Sequence, residues 1–220
     1  MSTTLRASAG APSVLRALRI TAIRLSGRPE TQGLAAEVQG LREQLAAAIE
    51  AAEALQDASA AATAEINYRD EVEDDAIRAL ARDLRSVVAG DLTDGRWTRM
   101  FRQAPTQIVR PVAGPDQAAA AEHHIEKLKS DADYEPLQHH LPGLQAARAG
   151  VEAAEAARVA LRKQLYTALA DREEAVERAI RQYNRLRARL EVIYESKALV
   201  RSFFPDPRDA GGAPAAGLEG

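Results

Sequence analysis

Two long stretches without proline, residues 30–89 and 143–204, constrain this chain more than any other feature. Apolar residues recur through the first at alternating steps of four and three, a spacing that places them along one stripe of an α-helix. Nine of the ten positions in this stripe are apolar: Leu34, Val38, Leu41, Leu45, Ala48, Ala52, Leu55, Ser59, Ala62 and Ile66. We therefore predict long amphipathic helices that pack through this seam.

The second stretch repeats the spacing with two arginines in the stripe. Its seam positions are Leu144, Ala147, Val151, Ala154, Arg158, Leu161, Leu165, Leu169, Arg172, Val176, Ile180, Tyr183, Leu190 and Tyr194. Two such helices can bury their stripes against each other. The sequence predicts an all-α fold, an elongated antiparallel helical bundle of the four-helix-bundle or coiled-coil-like type, with an irregular connector that holds short helices.

Proline, glycine and charge divide the chain into three regions. Residues 1–28 form a basic N-terminal segment with five arginines and no acidic residue. This composition fits an organellar presequence, but we favour a short element that packs on the rest. Residues 29–204 form the bundle domain, with a first helical region (29–89), a connector with short helices (90–142) and a second helical region (143–204). Residues 205–220 have the composition of a disordered tail.

The acidic stretch 65–75 interrupts the first seam, because Asp70 and Glu73 occupy its next positions. Buried carboxylates without partners are strongly destabilising. Either the chain turns near Asn67 and makes a helical hairpin, or this stretch is solvated while both flanks pack. We favour the hairpin, because its two arms have ordinary bundle lengths.

Charge differs sharply between the first and last helical segments. Residues 30–75 contain twelve acidic side chains and two arginines, whereas residues 178–201 contain seven basic side chains and two acidic ones. Opposite fields of this kind favour neighbouring helices. We expect the last helix to run antiparallel beside the first.

All four histidines lie in the segment EHHIEKLKSDADYEPLQHH, residues 122–140. Adjacent histidines on a helix point about 100° apart, so one pair does not easily bind one ion. The better candidate metal ligands are His124 and His140, with Glu126 or Asp131 completing the shell; solvated or core-edge histidines are the alternative.

Two other kinds of metal site can be considered. Asp70, Glu73 and Asp74 could hold Mg²⁺ or Ca²⁺, or simply form an acidic surface. No glutamate precedes a histidine by three residues, so the di-iron bundle motif is missing.

Large apolar side chains are rare, and three of them share one face of a turn: Trp97, Met100 and Phe101. This spacing predicts a plug for the end of the bundle, and the three are candidate interaction residues. Arg96, Arg99 and Arg102 alternate with them, which is a pattern that can bind a nucleic acid through phosphate contacts and stacking. The core needs the aromatic rings, however, so we do not favour nucleic acid as a partner.

Enzyme signatures are missing from the chain. It has no cysteine, no glycine-rich phosphate loop and no Gly-x-Ser-x-Gly sequence. We predict a non-enzymatic structural or protein-interaction bundle without a cofactor, whose partner is another protein or a second copy of the chain. The alternatives are a metal-binding bundle that uses the histidine pairs and an accessory protein that contacts nucleic acid. Lack of cysteine suits the cytoplasm, and no apolar run reaches the roughly 18–20 residues of a membrane span.

Overall fold

A computed structural model describes residues 4–108 and 115–205 of the chain. Throughout these residues the regular structure is helical, with no strand, and the all-α prediction is confirmed. The predicted tail beyond residue 205 lies outside the described residues. The elements are α1 (Ala11–Ser26), a 3₁₀ segment (Pro29–Thr31), α2 (Gln32–Val87), α3 (Gly95–Met100), α4 (Pro105–Ile108), α5 (Pro115–Ser130), a second 3₁₀ segment (Ala132–His140), α6 (Leu141–Ile193) and α7 (Lys197–Ser202).

The two proline-free stretches form α2 and α6, of 56 and 53 residues, which pack against each other. Every predicted seam position of α2 from Leu34 to Ile66 is buried or half-buried. The period therefore identified the inward face correctly. Helix α2 ends at Val87, and three residues later Gly90 has a φ of 81°, in the left-handed region that glycine adopts readily.

The helical hairpin that the acidic stretch predicts near Asn67 is wrong. Helix α2 continues through this region without a break. Asp70, Glu73 and Asp74 are all buried, at 6%, 1% and 7% exposure. Gln117 donates hydrogen bonds to Asp70 and Asp74, and Arg148 lies 3.9 Å from Glu73, contacts that local sequence does not reveal.

The chain divides into two compact units, and each long helix contributes to both. Unit 1 comprises residues 1–56 and 164–220, and unit 2 comprises residues 57–163. In unit 1, α1 and α7 join the long helices around an apolar core. Its members include Val14, Leu18, Leu25, Leu45, Leu190 and Phe203. The basic segment thus supplies a core helix.

Unit 2 is closed by the short helices of the connector. Met100 from α3, Leu128 from α5 and Tyr134 from the second 3₁₀ segment are fully buried beside residues of the long helices. The Tyr134 hydroxyl donates a hydrogen bond of 2.7 Å to the backbone carbonyl of Arg96. This bond links the 3₁₀ segment to α3 and fixes the start of the segment that carries His139 and His140.

None of the described helices combines the length and the apolar character that crossing a membrane requires.

Candidate functional sites

Three metal-ligating side chains of unit 2 converge where α2 meets the second 3₁₀ segment. Asp83 Oδ2 lies 2.8 Å from His140 Nε2 and 3.4 Å from His139 Nε2. One ligand atom from each residue falls within 4.8 Å of the other two. Among the described residues this is the one such group of three or more, and it contains His140 but not His124.

The two histidines of this group differ in exposure and in support. The side chain of His140 is 14% exposed, whereas those of His139 and Asp83 are 61% and 51% exposed. His139 Nδ1 lies 3.0 Å from the backbone carbonyl of Pro136, and the two imidazole rings have centroids 4.1 Å apart. Hydrogen bonding, chiefly to His140, lowers the pKa of Asp83 and keeps it ionised.

His124 is a core residue of unit 2, at 1% exposure. Its ring packs on that of Phe101 with 4.8 Å between centroids, and its Nδ1 is buried without a hydrogen-bond partner. Burial, reinforced by the nearby His123, lowers the pKa of His124 from 6.5 to about 4. The structure thus holds His124 as a neutral ring against Phe101, apart from the group that contains His140.

Asp131, a predicted additional ligand, has other partners. Its side chain accepts a hydrogen bond from the backbone N–H of Asp133 at the start of the second 3₁₀ segment. Its carboxylate also lies 3.9 Å from both Lys127 and Arg99. Glu126, the other predicted ligand, is outside the converging group as well. Asp131 therefore acts here as a cap and as a partner for cations.

The buried carboxylates of α2 lie beside Gln117 of α5. Gln117 Nε2 donates hydrogen bonds to Asp70 Oδ1 at 2.7 Å and to Asp74 Oδ1 at 2.9 Å. On the α6 side, Arg148 Nη1 lies 3.9 Å from Glu73 Oε1. One amide and one guanidinium thus bring three acidic side chains into the interior of unit 2. Their oxygens do not form the convergent set that a Mg²⁺ or Ca²⁺ site needs.

Burial changes the protonation of two of these groups. It raises the pKa of Glu73 from 4.5 to about 7, an effect that the Arg148 charge only partly offsets. Burial, together with the charge of Asp70, raises the pKa of Asp74 from 3.8 to about 6. Burial thus brings the pKa of Glu73 close to neutral pH.

The predicted interaction residues of α3 are largely internal. Met100 and Phe101 are 0% and 4% exposed, and the half-buried Trp97 packs against the same core. Arg96 forms an ion pair with Asp94, and Arg99 forms one with Asp133. The Phe101 ring is thus inside the core and Trp97 is half-buried against it, and two neighbouring arginines already face carboxylates.

Unit 1 carries a different kind of candidate site, where several apolar residues on or beside the seam are only half-buried, although Leu45 and Ala52 of the same stretch are buried. We call this the open seam; it consists of Ala48, Ile49 and Leu55 on α2 and of Leu165, Ala168, Leu169 and Val176 on α6, all half-buried. A groove of about 470 Å³ lies beside it, lined by Leu41, Leu45, Ala48 and Ala175. Its polar lining contains Gln44, Asp171, Glu174 and Arg178. Tyr166, on the same stretch of α6, is 64% exposed.

No protein-family model, curated protein or solved structure matches this chain.

The function must therefore be inferred from contacts within the chain. Three residues that make these contacts are not predicted from the sequence. Asp83 lies 57 residues from His140, and Gln117 and Arg148 lie more than 40 residues from the carboxylates that they meet. None belongs to a local motif. The paired histidines and the acids on an apolar seam were the only signals, and both required partners from distant positions.

Proposed function

We propose that this protein is a non-enzymatic helical interaction protein that self-associates, with a second copy of the chain docking on the open seam of unit 1. The observation that carries the proposal is the half-burial of seven apolar residues on or beside the inward stripes of two long helices. Their helical spacing places them along one face of each helix, as residues of a packed helix–helix interface are placed. A further helical layer would complete their burial.

Within unit 1, the same seam behaves differently where a third helix is present. Leu34, Val38 and Leu190 are at most 6% exposed, and they belong to the core cluster that α1 and α7 complete. Two helices alone leave part of a stripe exposed when it is about 100° wide or more. Burial of the remaining apolar surface would contribute about 25 cal/mol per Å² before the entropic cost of association.

A second copy fits this surface because an interface with two-fold symmetry must be complementary to itself. The groove carries both signs of charge, with Asp171 and Glu174 close to Arg178, and small side chains such as Ala48 and Ala175 that permit close approach. A partner that carries mainly one sign of charge would gain little electrostatic attraction from this mixture of acidic and basic side chains. Two chains that contribute two helices each would form a four-helix arrangement, which is a stable bundle geometry.

Tyr166 extends the proposed interface beyond the leucines. It lies within one helical turn of both Leu165 and Leu169 and exposes 64% of its surface. Tyrosine is enriched among residues that dominate binding energy, because its ring buries a large area and its hydroxyl retains a polar contact. Tyr166 is the side chain whose truncation should weaken association most.

Static light scattering over a range of concentrations tests this proposal. The wild-type chain is expected to show twice the 23.7 kDa chain mass at high concentration and a falling mass on dilution. The double variant Leu165→Gln, Leu169→Gln should remain at the chain mass while keeping its helical circular dichroism. Val192→Gln serves as the matched control, because Val192 is 88% exposed on the same helix and outside the seam.

The outcomes separate self-association at the seam from every other arrangement. A wild-type chain that stays monomeric at all concentrations overturns the proposal. A double variant that associates as tightly as the wild type overturns the seam as the interface. Equal weakening by Val192→Gln would also count against it, because loss of association would then not be specific to the half-buried residues.

A further inference from the structure

The group formed by Asp83, His139 and His140 has the chemistry of a metal centre. It combines two imidazole nitrogens with one carboxylate oxygen, and the three ligand atoms converge within 4.8 Å. The residues come from two elements, since Asp83 lies on α2 and the histidines end the second 3₁₀ segment. An ion held here would join these two elements directly.

The contact of His139 with Pro136 supports this assignment independently of the convergence. The Pro136 carbonyl, 3.0 Å from Nδ1, can only accept a hydrogen bond, so Nδ1 carries the proton. In the neutral ring the Nε2 lone pair then points toward Asp83 Oδ2, 3.4 Å away. This unprotonated Nε2 is the atom that a metal ion would bind. Metal-binding histidines commonly donate their other N–H to a backbone carbonyl in this way.

The distances require little rearrangement. Bonds of about 2.0–2.2 Å in a tetrahedron place neighbouring ligand atoms about 3.3 Å apart. Asp83 Oδ2 and His139 Nε2 are already 3.4 Å apart. The 2.8 Å separation from His140 Nε2 must open slightly, as the proton that this nitrogen donates to Asp83 is released to solvent when the metal binds. His139 and Asp83 are exposed enough for an ion to enter from solvent and for these side chains to adjust.

We propose that Asp83, His139 and His140 bind one divalent first-row transition-metal ion of the Zn²⁺ type. Imidazole nitrogen suits zinc, cobalt, nickel and copper, whereas magnesium and calcium prefer shells made entirely of oxygen. Three protein ligands leave a fourth tetrahedral position for water or for an external ligand. The site keeps His140 from the sequence-predicted pair and uses His139 and Asp83 in place of His124.

Titration of the metal-free, full-length chain with Zn²⁺ in a calorimeter tests the site. The wild type is expected to take up one equivalent, and the variants His139→Ala, His140→Ala and Asp83→Asn should each lose at least tenfold in affinity. His123→Ala is the matched control, because His123 also belongs to an adjacent pair, contacts the Arg99 carbonyl and lies outside the group. The control variant should bind as the wild type does.

A second measurement keeps the proposal testable if a variant folds poorly. Co²⁺ bound by two histidines and a carboxylate in a four-coordinate site gives strong visible absorption. Zn²⁺ should displace the Co²⁺ from the wild-type chain, and the absorption should then disappear. The melting temperature should rise with Zn²⁺ in the wild type and not in Asp83→Asn. Failure of the wild type to take up metal overturns the proposal, as does equal binding by the wild type and the three ligand variants.

Discussion

Units 1 and 2 use the same two long helices but fill their interiors differently. In the described part of unit 1, Thr21 and Thr31 are the only buried polar side chains, and the remaining core is apolar. Unit 2 buries Asp70, Glu73, Asp74, Gln117 and His124 beside its apolar cluster. Apolar packing therefore dominates the interior of unit 1, whereas the interior of unit 2 also holds groups whose protonation affects its stability. We therefore expect the stability of unit 2 to change between pH 5 and 8 more than that of unit 1, whereas truncation of core side chains should destabilise both.

The largest expected effect comes from truncation in the apolar core of unit 1. Leu190 is 0% exposed in the cluster that includes Leu18 and Leu45. Leu190→Ala should lower the free energy of unfolding by about 2–5 kcal/mol, because it removes buried methyl groups and leaves a cavity. Urea unfolding measures this loss. A loss that varied strongly between pH 5 and 8 would contradict the prediction that the stability of unit 1 changes less with pH than that of unit 2.

A smaller effect, of opposite sign, is expected from the buried glutamate of unit 2. The folded pKa of Glu73, about 7, exceeds its ordinary 4.5, so between these values the folded chain holds a proton that the unfolded chain has released. Stability from this group is thus fully present below pH 4.5 and is lost as pH rises through 7. Glu73→Gln should raise the free energy of unfolding at pH 8 by on the order of 2 kcal/mol.

The Glu73→Gln variant leaves Arg148 with an acidic partner, because Glu152 Oε1 lies 3.1 Å from Arg148 Nε. Urea unfolding of both proteins at pH 5 and pH 8 gives the comparison. The gain should shrink toward pH 5, where Glu73 of the folded wild type is itself neutral. A variant that is less stable than the wild type at pH 8 would show instead that the Glu73–Arg148 attraction outweighs burial.

His124 should respond to acid in the opposite direction. Its folded pKa, about 4, lies below its ordinary 6.5, so the unfolded chain binds a proton first as pH falls. Stability from the neutral ring is present above pH 6.5 and is lost on the way down to pH 4. Relative to His124→Phe, the wild type should lose on the order of 2 kcal/mol between pH 7 and pH 5. Equal pH slopes for the two proteins in urea unfolding would contradict this.

The smallest expected effect belongs to the ion pair between the long helices of unit 1. Arg189 donates two hydrogen bonds to Glu37, and the two side chains are 50% and 56% exposed. Arg189→Gln should lower the free energy of unfolding by about 1 kcal/mol or less, and added salt should reduce the difference. Urea unfolding at low and high salt measures it. A loss as large as that of Leu190→Ala would mean that charge, and not packing, holds unit 1 together.

Helical periodicity revealed the long helices and their inward faces, because a 3.6-residue repeat needs no knowledge of distant residues. The repeat is not recognisable in α1, because the polar residue Thr21 occupies a buried core position between Leu18 and Leu25. Periodicity also failed at residues 65–75, where the carboxylates remain inside because Gln117 and Arg148 meet them. Local spacing shows which residues face inward, and the tertiary fold decides what they contact.

Charge patterning proved only partly informative. The Glu37–Arg189 pair confirms that an acid of the first long helix meets a base near the end of the second. Arg178, Arg181 and Arg187 instead pair with glutamates four residues away on their own helix. Such pairs form whichever helix lies alongside, so net charge alone could not fix the neighbours. The site histidines show the same limit, since no pattern near His140 points to Asp83.

Spin labels placed on the open seam report directly on whether a second copy docks there. The chain contains no cysteine, so Ala168→Cys on the seam and Val192→Cys outside it can each carry one label. The account predicts strong dipolar coupling between chains labelled at residue 168, weaker coupling at residue 192, and loss of both on dilution with unlabelled chain. Equal coupling at the two positions, or none at residue 168 at high protein concentration, would contradict it.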